Sequence, residues 1–219
     1  MPKFFSVLIF FIIVVAFVVA AILKRVMFKG LSSPFVMELP TYKIPSFKGV
    51  LIHSWEKVKG FIKKAATVIL GFSIVLWALS IFPLGVQYGS ADSILGMIGN
   101  AIAPIFAPLG FGTWQAAVSI IAGFSAKEVI VSTFGTLGGV GEDDKSGMTN
   151  MVQETFTPLS AYSFMAFTLL YTPCLGTVVA IRNETNGYRW AMLMCAITIV
   201  TAYIVSFMIY NIGTLAGFG

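Results

Sequence analysis

Charge is scarce in this sequence. Asp, Glu, Lys and Arg make up 11% of its 219 residues, and apolar residues 58%, whereas a soluble domain carries about 25% charged residues. So few charges cannot cover a core this apolar in water, so most of the surface must face lipid. Histidine occurs once, at position 53, and cysteine twice, at 174 and 195. With no nucleophile–base set and no multi-ligand metal motif, the chain does not read as an enzyme. Both cysteines sit deep in apolar runs, which argues against a disulfide framework and leaves the redox compartment undetermined. No G-x-x-x-x-G-K-[ST] stretch is present; "GEDDKSG" has other spacing, so no nucleotide site is assigned. No nucleic-acid partner is expected.

What the chain has instead is long apolar runs. Residues 4–23 contain a single polar member, Ser6, and are long enough to cross roughly 30 Å of hydrocarbon. A signal peptide would carry a shorter apolar core, about 7–15 residues, behind a basic start. Here the basic cluster Lys24, Arg25 and Lys29 follows the run. The expectation is a retained spanning helix over 1–23, with the N-terminus outside. Residues 24–64 hold nine of the fourteen basic residues against two acids, Glu38 and Glu56, and by the positive-inside tendency they form a cytoplasmic loop. Three prolines make its first part extended. In its second part Phe47, Leu51, Trp55, Val58 and Ile62 fall on one helical face and Lys48, Glu56, Lys59 and Lys63 fall opposite. That pattern predicts an amphipathic helix in the headgroup layer of the bilayer, leading into the next span.

Residues 65–219 read as a transmembrane domain. Spans are expected over 65–82, 113–137, 159–181 and 190–215. Between the first two, residues 93–108 are apolar but punctuated by Gly96, Gly99, Pro104 and Pro108, which suits a re-entrant or broken segment buried by protein. Residues 138–156 read as a polar, acidic loop. The fold class is therefore all-α integral membrane: a polytopic helical bundle with about five long spans, a re-entrant or broken segment and an interfacial amphipathic helix.

Two places break the membrane rules. In "AGFSAKEVIVSTFG", Lys127 and Glu128 stand in the middle of an expected span, where a charge costs roughly 2.5–3.5 kcal/mol. On an unbroken helix Glu128 shares a face with Ser125, Ser132 and Gly135. Such a stripe lines a cavity or packs on another helix. Lys127 shares its side with Gly123, where a gap could admit a partner carboxylate or carbonyl; it reads as structural, while Glu128 divides between a conduction role and a buried ion pair. In "LLYTPCLGT", Pro173 has no amide hydrogen and crowds the carbonyl of Leu169. The freed carbonyls must meet a helix, water or an ion. A Cys174 thiolate beside unwound carbonyls is a stopping point for a borderline metal such as Fe²⁺, although a lone buried Cys more often behaves as a small hydrophobe.

"SPFVMELPTYKIPS", "HSWEKVKGFIKKAATVIL", "GFSAKEVIVSTFGTL" and "LLYTPCLGTVVAIRNET" together resemble the C-terminal membrane part, with the second gate repeat, of the ferrous iron transport protein B family. The resemblance implies an Fe²⁺ path bordered by Thr172, Pro173, Cys174, Lys127 and Glu128; Ser125 and Ser132, on the expected Glu128 face, are read as supporting it. It implies Fe²⁺ as transported substrate with no permanently bound cofactor, and a multi-pass location in a prokaryotic cytoplasmic (inner) membrane. Members of that family normally carry a GTPase domain and a first gate repeat, and neither motif set occurs here. The expected partners are therefore another membrane chain or copy supplying the missing repeat, and a GTPase domain or subunit. A non-transporting gate-fold scaffold, or a transporter of another solute such as a nucleoside, are the alternatives.

Overall fold

The computed structural model describes residues 2–26, 46–83, 89–139, 145–171, 173–185 and 187–217, and every regular element among them is a helix. The chain divides into two compact units, Met1–Ile62 and Lys63–Gly219. The first holds helix α1 (Pro2–Val26), whose stretch Ser6–Val26 has a mean hydropathy of 3.3. Val7, Phe10 and Phe17 project outward from it, as a lipid-facing helix requires. The basic pair Lys24 and Arg25 lies in its last turn, where cations favour the helix dipole.

Helix α2 (Phe47–Ile81) begins in the first unit and ends in the second. The expected interfacial helix and the span after it are one uninterrupted helix of 35 residues. At 1.5 Å per residue it is about 52 Å long, more than the hydrocarbon thickness of roughly 30 Å. Its apolar part is Ile69–Ile81. No proline interrupts the sequence between Phe47 and Ile81, so its three isolated glycines, Gly49, Gly60 and Gly71, are carried within one helix.

Within the second unit, α3 (Ile94–Phe106) starts on Ser93, whose hydroxyl accepts from the Gly96 amide at 3.0 Å. Pro104 lies inside α3, and a 3₁₀ turn over Ala107–Leu109 ends it. Thr113 then caps α4 (Trp114–Gly123), and the chain bends by 99° between the two helices. This is the broken segment expected over 93–108. Gly99 lets α3 approach the Trp114 backbone and Val118 closely. The last helix, α9 (Tyr188–Leu215), satisfies the backbone that the bend exposes. Tyr203 Oη donates to the Ile105 carbonyl at 3.0 Å and Asn211 Nδ2 to the Pro108 carbonyl at 3.2 Å. Gly110, at φ +88°, lies under the Tyr210 ring, where any side chain would collide.

Two of the five expected spans are not continuous. The 113–137 run divides into α4 and α5 (Val129–Leu137), and the 159–181 run into α7 (Pro158–Leu170) and α8 (Leu175–Thr185). By length and composition three stretches among the described residues can cross a membrane, namely Ser6–Val26, Pro158–Thr185 with α7 and α8 taken together, and Tyr188–Leu215, or four if the bent pair α3–α4 counts as one. The expected polar loop over 138–156 also differs. It contains α6 (Lys145–Thr155), because Met148, Met151 and Val152 recur at helical offsets and give that short stretch an apolar side. Met151 covers Gly138 at the end of α5.

A run of rings joins these helices. Tyr171 stacks on Phe167, Phe167 meets Phe106 and Phe111, Phe111 meets Phe164, and Phe156 bridges Phe164 to Phe134, with centroids 5.2–5.7 Å apart. On the other side of α7, Ser163 and Ser206 of α9 are fully buried, and each hydroxyl donates to the other residue's carbonyl at 3.2 Å. Small residues admit this approach: Ala166 on α7, Ala202 on α9, and Gly213, whose missing side chain makes room for Leu159. Ser163→Ala should cost about 0.6 kcal/mol and no more than about 1.7, the range for interhelical hydrogen bonds in membranes. Unfolding in mixed micelles, read by circular dichroism, measures it.

Candidate functional site

The site is a pair of helix breaks laid against each other. The first lies between α4 and α5. Phe124 N donates back to the Ile121 carbonyl and Ser125 N to the Ala122 carbonyl, so the winding tightens to three-residue steps and α4 stops. The second lies between α7 and α8, where Tyr171 leaves the helix in extended geometry, at φ −66° and ψ −178°. Pro173 follows, without an amide hydrogen for the Leu169 carbonyl.

Each break uses polar groups that the other frees. In a continuous helix the Leu175 amide would meet the Tyr171 carbonyl. Here Leu175 N donates to the Phe124 carbonyl in the first break at 3.1 Å. The Tyr171 carbonyl instead accepts from Lys127 Nζ at 3.4 Å, and the Leu169 carbonyl accepts from the same ammonium at 3.1 Å. Tyr171 Oη donates to the Ile120 carbonyl, released at the end of α4, at 3.2 Å. The ammonium also lies 5.2 Å from the Tyr171 ring centroid, within cation–π range. The cost of non-helical backbone in a membrane is met by mutual exchange between the breaks.

The expected site residues are placed as follows. Lys127 is half-buried between the breaks and its partner is the carbonyl that Pro173 frees. The room beside Gly123 is filled by Ile130 and the Tyr171 hydroxyl rather than by a partner for the lysine. Glu128 stands just before α5, exposed, and makes no capping hydrogen bond. Cys174 is half-buried at the second break, its Sγ 3.4 Å from Thr177 Oγ1. Cys174 lies within electrostatic reach of Lys127 and of Glu128. Thr172 lies outside the described residues.

The break separates Ser125 from the rest of its expected face, while Glu128, Ser132 and Gly135 keep helical offsets at the start of and along α5. Ser125 is buried and donates to the Ala122 carbonyl at 2.7 Å, and Ser132 donates to the Val129 carbonyl at 3.2 Å. The sequence places Tyr171 at the break beside Cys174 but assigns it no role. A tyrosine at the end of an apolar run needs a partner for its hydroxyl, and that need was the available signal.

Beside the breaks, a cavity of about 320 Å³ opens between α5, α6 and α7. Lys127 and Thr168 are its polar members; Ile130, Val131, Met148, Phe156 and Phe164 are among the apolar ones. Among the described residues no group of three or more His, Cys, Asp or Glu is placed to hold a metal ion.

Comparison with known proteins matches residues 62–188 to the Gate family model, described as nucleoside recognition. The chain belongs to the Gate family. Residues 5–57 of this Gate-family chain match the family described as ferrous iron transport protein B C terminus. The Fe(2+) transporter FeoB of Staphylococcus aureus (strain COL) is 45% identical over 204 residues, covering 93% of this chain and 30% of that relative. The Fe(2+) transporter FeoB of Methanocaldococcus jannaschii is 35% identical over 212 residues, covering 93% of this chain and 31% of the relative. An Fe(2+) transport protein A/Fe(2+) transporter FeoB fusion protein of Porphyromonas gingivalis is 33% identical over 250 residues, covering 93% and 30%. The similarity is to a C-terminal membrane portion of such proteins, and this Gate-family chain spans less than a third of the length of these curated relatives. No solved structure matches it.

Proposed function

We propose that this chain is the permease portion of a ferrous-iron uptake transporter, moving Fe²⁺ across a prokaryotic cytoplasmic membrane. The observation that carries the reading is the exchange of backbone groups between two helix breaks, beside a thiol and a carboxylate in electrostatic reach. Discontinuous helices are where transporters place their sites. Of the groups at the breaks, Cys174 offers sulfur, which suits Fe²⁺ better than Mg²⁺ or Ca²⁺, and Glu128 offers charge. Iron as cargo is supported by the relatives, whose names state it. No resident cofactor is part of the reading.

Because the chain spans less than a third of its relatives' length, the reading includes partners: a further membrane repeat, from another chain or a second copy, and a GTPase domain or subunit that drives gating. A nucleoside cargo is disfavoured by the cavity, whose wall is almost wholly apolar and offers few groups to a base or ribose. A scaffold without transport would leave Glu128 and Cys174 with no task.

The test is flux in proteoliposomes containing this chain together with the rest of a family member's length. Saturable Fe²⁺ entry without uridine entry is the expected result. Uridine entry without Fe²⁺ entry would favour the nucleoside reading, and a fully assembled complex passing neither would favour the scaffold.

A further inference from the structure

The Lys127 ammonium is held in an unusual way. Its partners are the carbonyls of Leu169 and Tyr171, at 3.1 and 3.4 Å, and the Tyr171 ring face, 5.2 Å away. All three are electron-rich and uncharged. The carbonyls have lost their helical donors at the Pro173 break, and the ring presents the negative side of its quadrupole. Such a set favours a cation or a hydrogen-bond donor and rejects an anion. A lysine serving only to tie two helices would be expected to face a carboxylate, the stronger partner in a low dielectric. Here the adjacent carboxylate, Glu128, stands exposed outside the cage.

We propose that the Leu169 and Tyr171 carbonyls and the Tyr171 ring form a cation-binding cage, in which Lys127 is a tethered placeholder that the transported dication must displace. The idea rests on the transport reading for the identity of the incoming cation; the cage itself does not. A dication entering between Cys174 and the freed carbonyls gains roughly twice the charge interaction of an ammonium with the same acceptors. The displaced Lys127 has Glu128 next to it along the chain and the cavity beside Thr168 to move into. While the ammonium is seated, the two breaks are tied by it, by the bond from Leu175 N to the Phe124 carbonyl and by that from Tyr171 Oη to the Ile120 carbonyl. Displacement removes the first tie and leaves the other two, so cation arrival and loosening of the α7–α8 break become one event. A cation is favoured over a neutral solute there, because the carbonyl dipoles and the ring face attract a charge more strongly than a neutral donor.

The experiment uses the full chain in lipid nanodiscs, in a buffer whose only bulk cation is N-methylglucammonium. Lys127→Ala removes three methylenes and the ammonium, the equivalent of n-propylammonium. The variant should melt about 5 °C lower than the wild type, a shift typical of losing roughly a kcal/mol or two. Adding n-propylammonium should restore the melting temperature, while n-propanol should not. In the same variant Mn²⁺, a redox-stable stand-in for Fe²⁺, should bind about tenfold more tightly than in the wild type, since no tethered cation competes. Lys127→Met keeps the apolar stem and loses the charge, so it carries the Mn²⁺ titration if the alanine variant does not fold.

Loss of stability that propylammonium and propanol restore equally, or not at all, would overturn the cage. Unchanged or weaker Mn²⁺ binding in both variants would overturn the placeholder. Neither measurement requires flux, so a failure of the iron-transport reading remains distinguishable from a failure of this one.

Discussion

Replacing Cys174 by Ser together with Glu128 by Gln should lower Fe²⁺ uptake tenfold or more, the factor that about 1.4 kcal/mol in a barrier produces. A dication crossing the break region has few anionic groups to lean on among the described residues. Unit charges about 4 Å apart interact by roughly 4 kcal/mol at an effective dielectric of 20, so loss of one carboxylate raises the barrier by a sizeable part of that. Serine offers a harder, protonated oxygen in place of a sulfur that deprotonates more readily, which weakens a borderline metal's stopping point. Neither change disturbs the fold: Glu128 is exposed, Cys174 is half-buried, and a serine hydroxyl can keep the contact with Thr177. Melting temperature should therefore stay within a degree or two of the wild type while flux falls. Each single variant should show an intermediate loss. Anaerobic radiolabelled-iron uptake in proteoliposomes, paired with thermal melting of the same preparation, measures both. Unchanged uptake in the double variant would remove these two residues from the path.

The sequence disclosed the two breaks unequally. Pro173 declared its own, since a ring nitrogen without hydrogen at a fixed place in an apolar run leaves one identifiable carbonyl, Leu169, in need of a donor. That donor is Lys127, which the sequence placed opposite some carbonyl or carboxylate without saying which. The other break carried no proline. Its only marks were Gly123 and two adjacent charges, and helical periodicity drawn straight through them gave the Ser125–Glu128–Ser132 face that the structure interrupts. The difference is physical: α4 ends because Tyr171 takes the Ile120 carbonyl and Leu175 takes the Phe124 carbonyl, donors about fifty residues away that no local pattern reveals. The bend after α3 was readable from its glycines and prolines, whereas the groups on α9 that satisfy it, Tyr203 and Asn211, were not. Helix α6 was missed for the opposite reason. Its charged and polar residues dominated the reading of a stretch whose three apolar positions were correctly spaced for one shallow turn of packing.

Pro173→Ala separates stability from function most sharply. Alanine would return an amide hydrogen opposite the Leu169 carbonyl, and a proline in a helix interior costs about 3 kcal/mol relative to alanine. Part of that becomes available as the 171–174 break winds toward a continuous helix through α7 and α8, so the variant should melt higher than the wild type. The same winding would pair the Leu175 amide with the Tyr171 carbonyl, withdrawing the first from Phe124 and the second from Lys127. Cys174 would then rotate with the helix away from its present place beside the other break. Fe²⁺ uptake should fall at least tenfold, the equivalent of about 1.4 kcal/mol, even as the protein becomes more stable. A proline that only marks the end of a helix would, on replacement, raise stability and leave flux alone. Opposite movements of melting temperature and uptake are what a break retained for transport requires, and parallel movements would return Pro173 to the architecture.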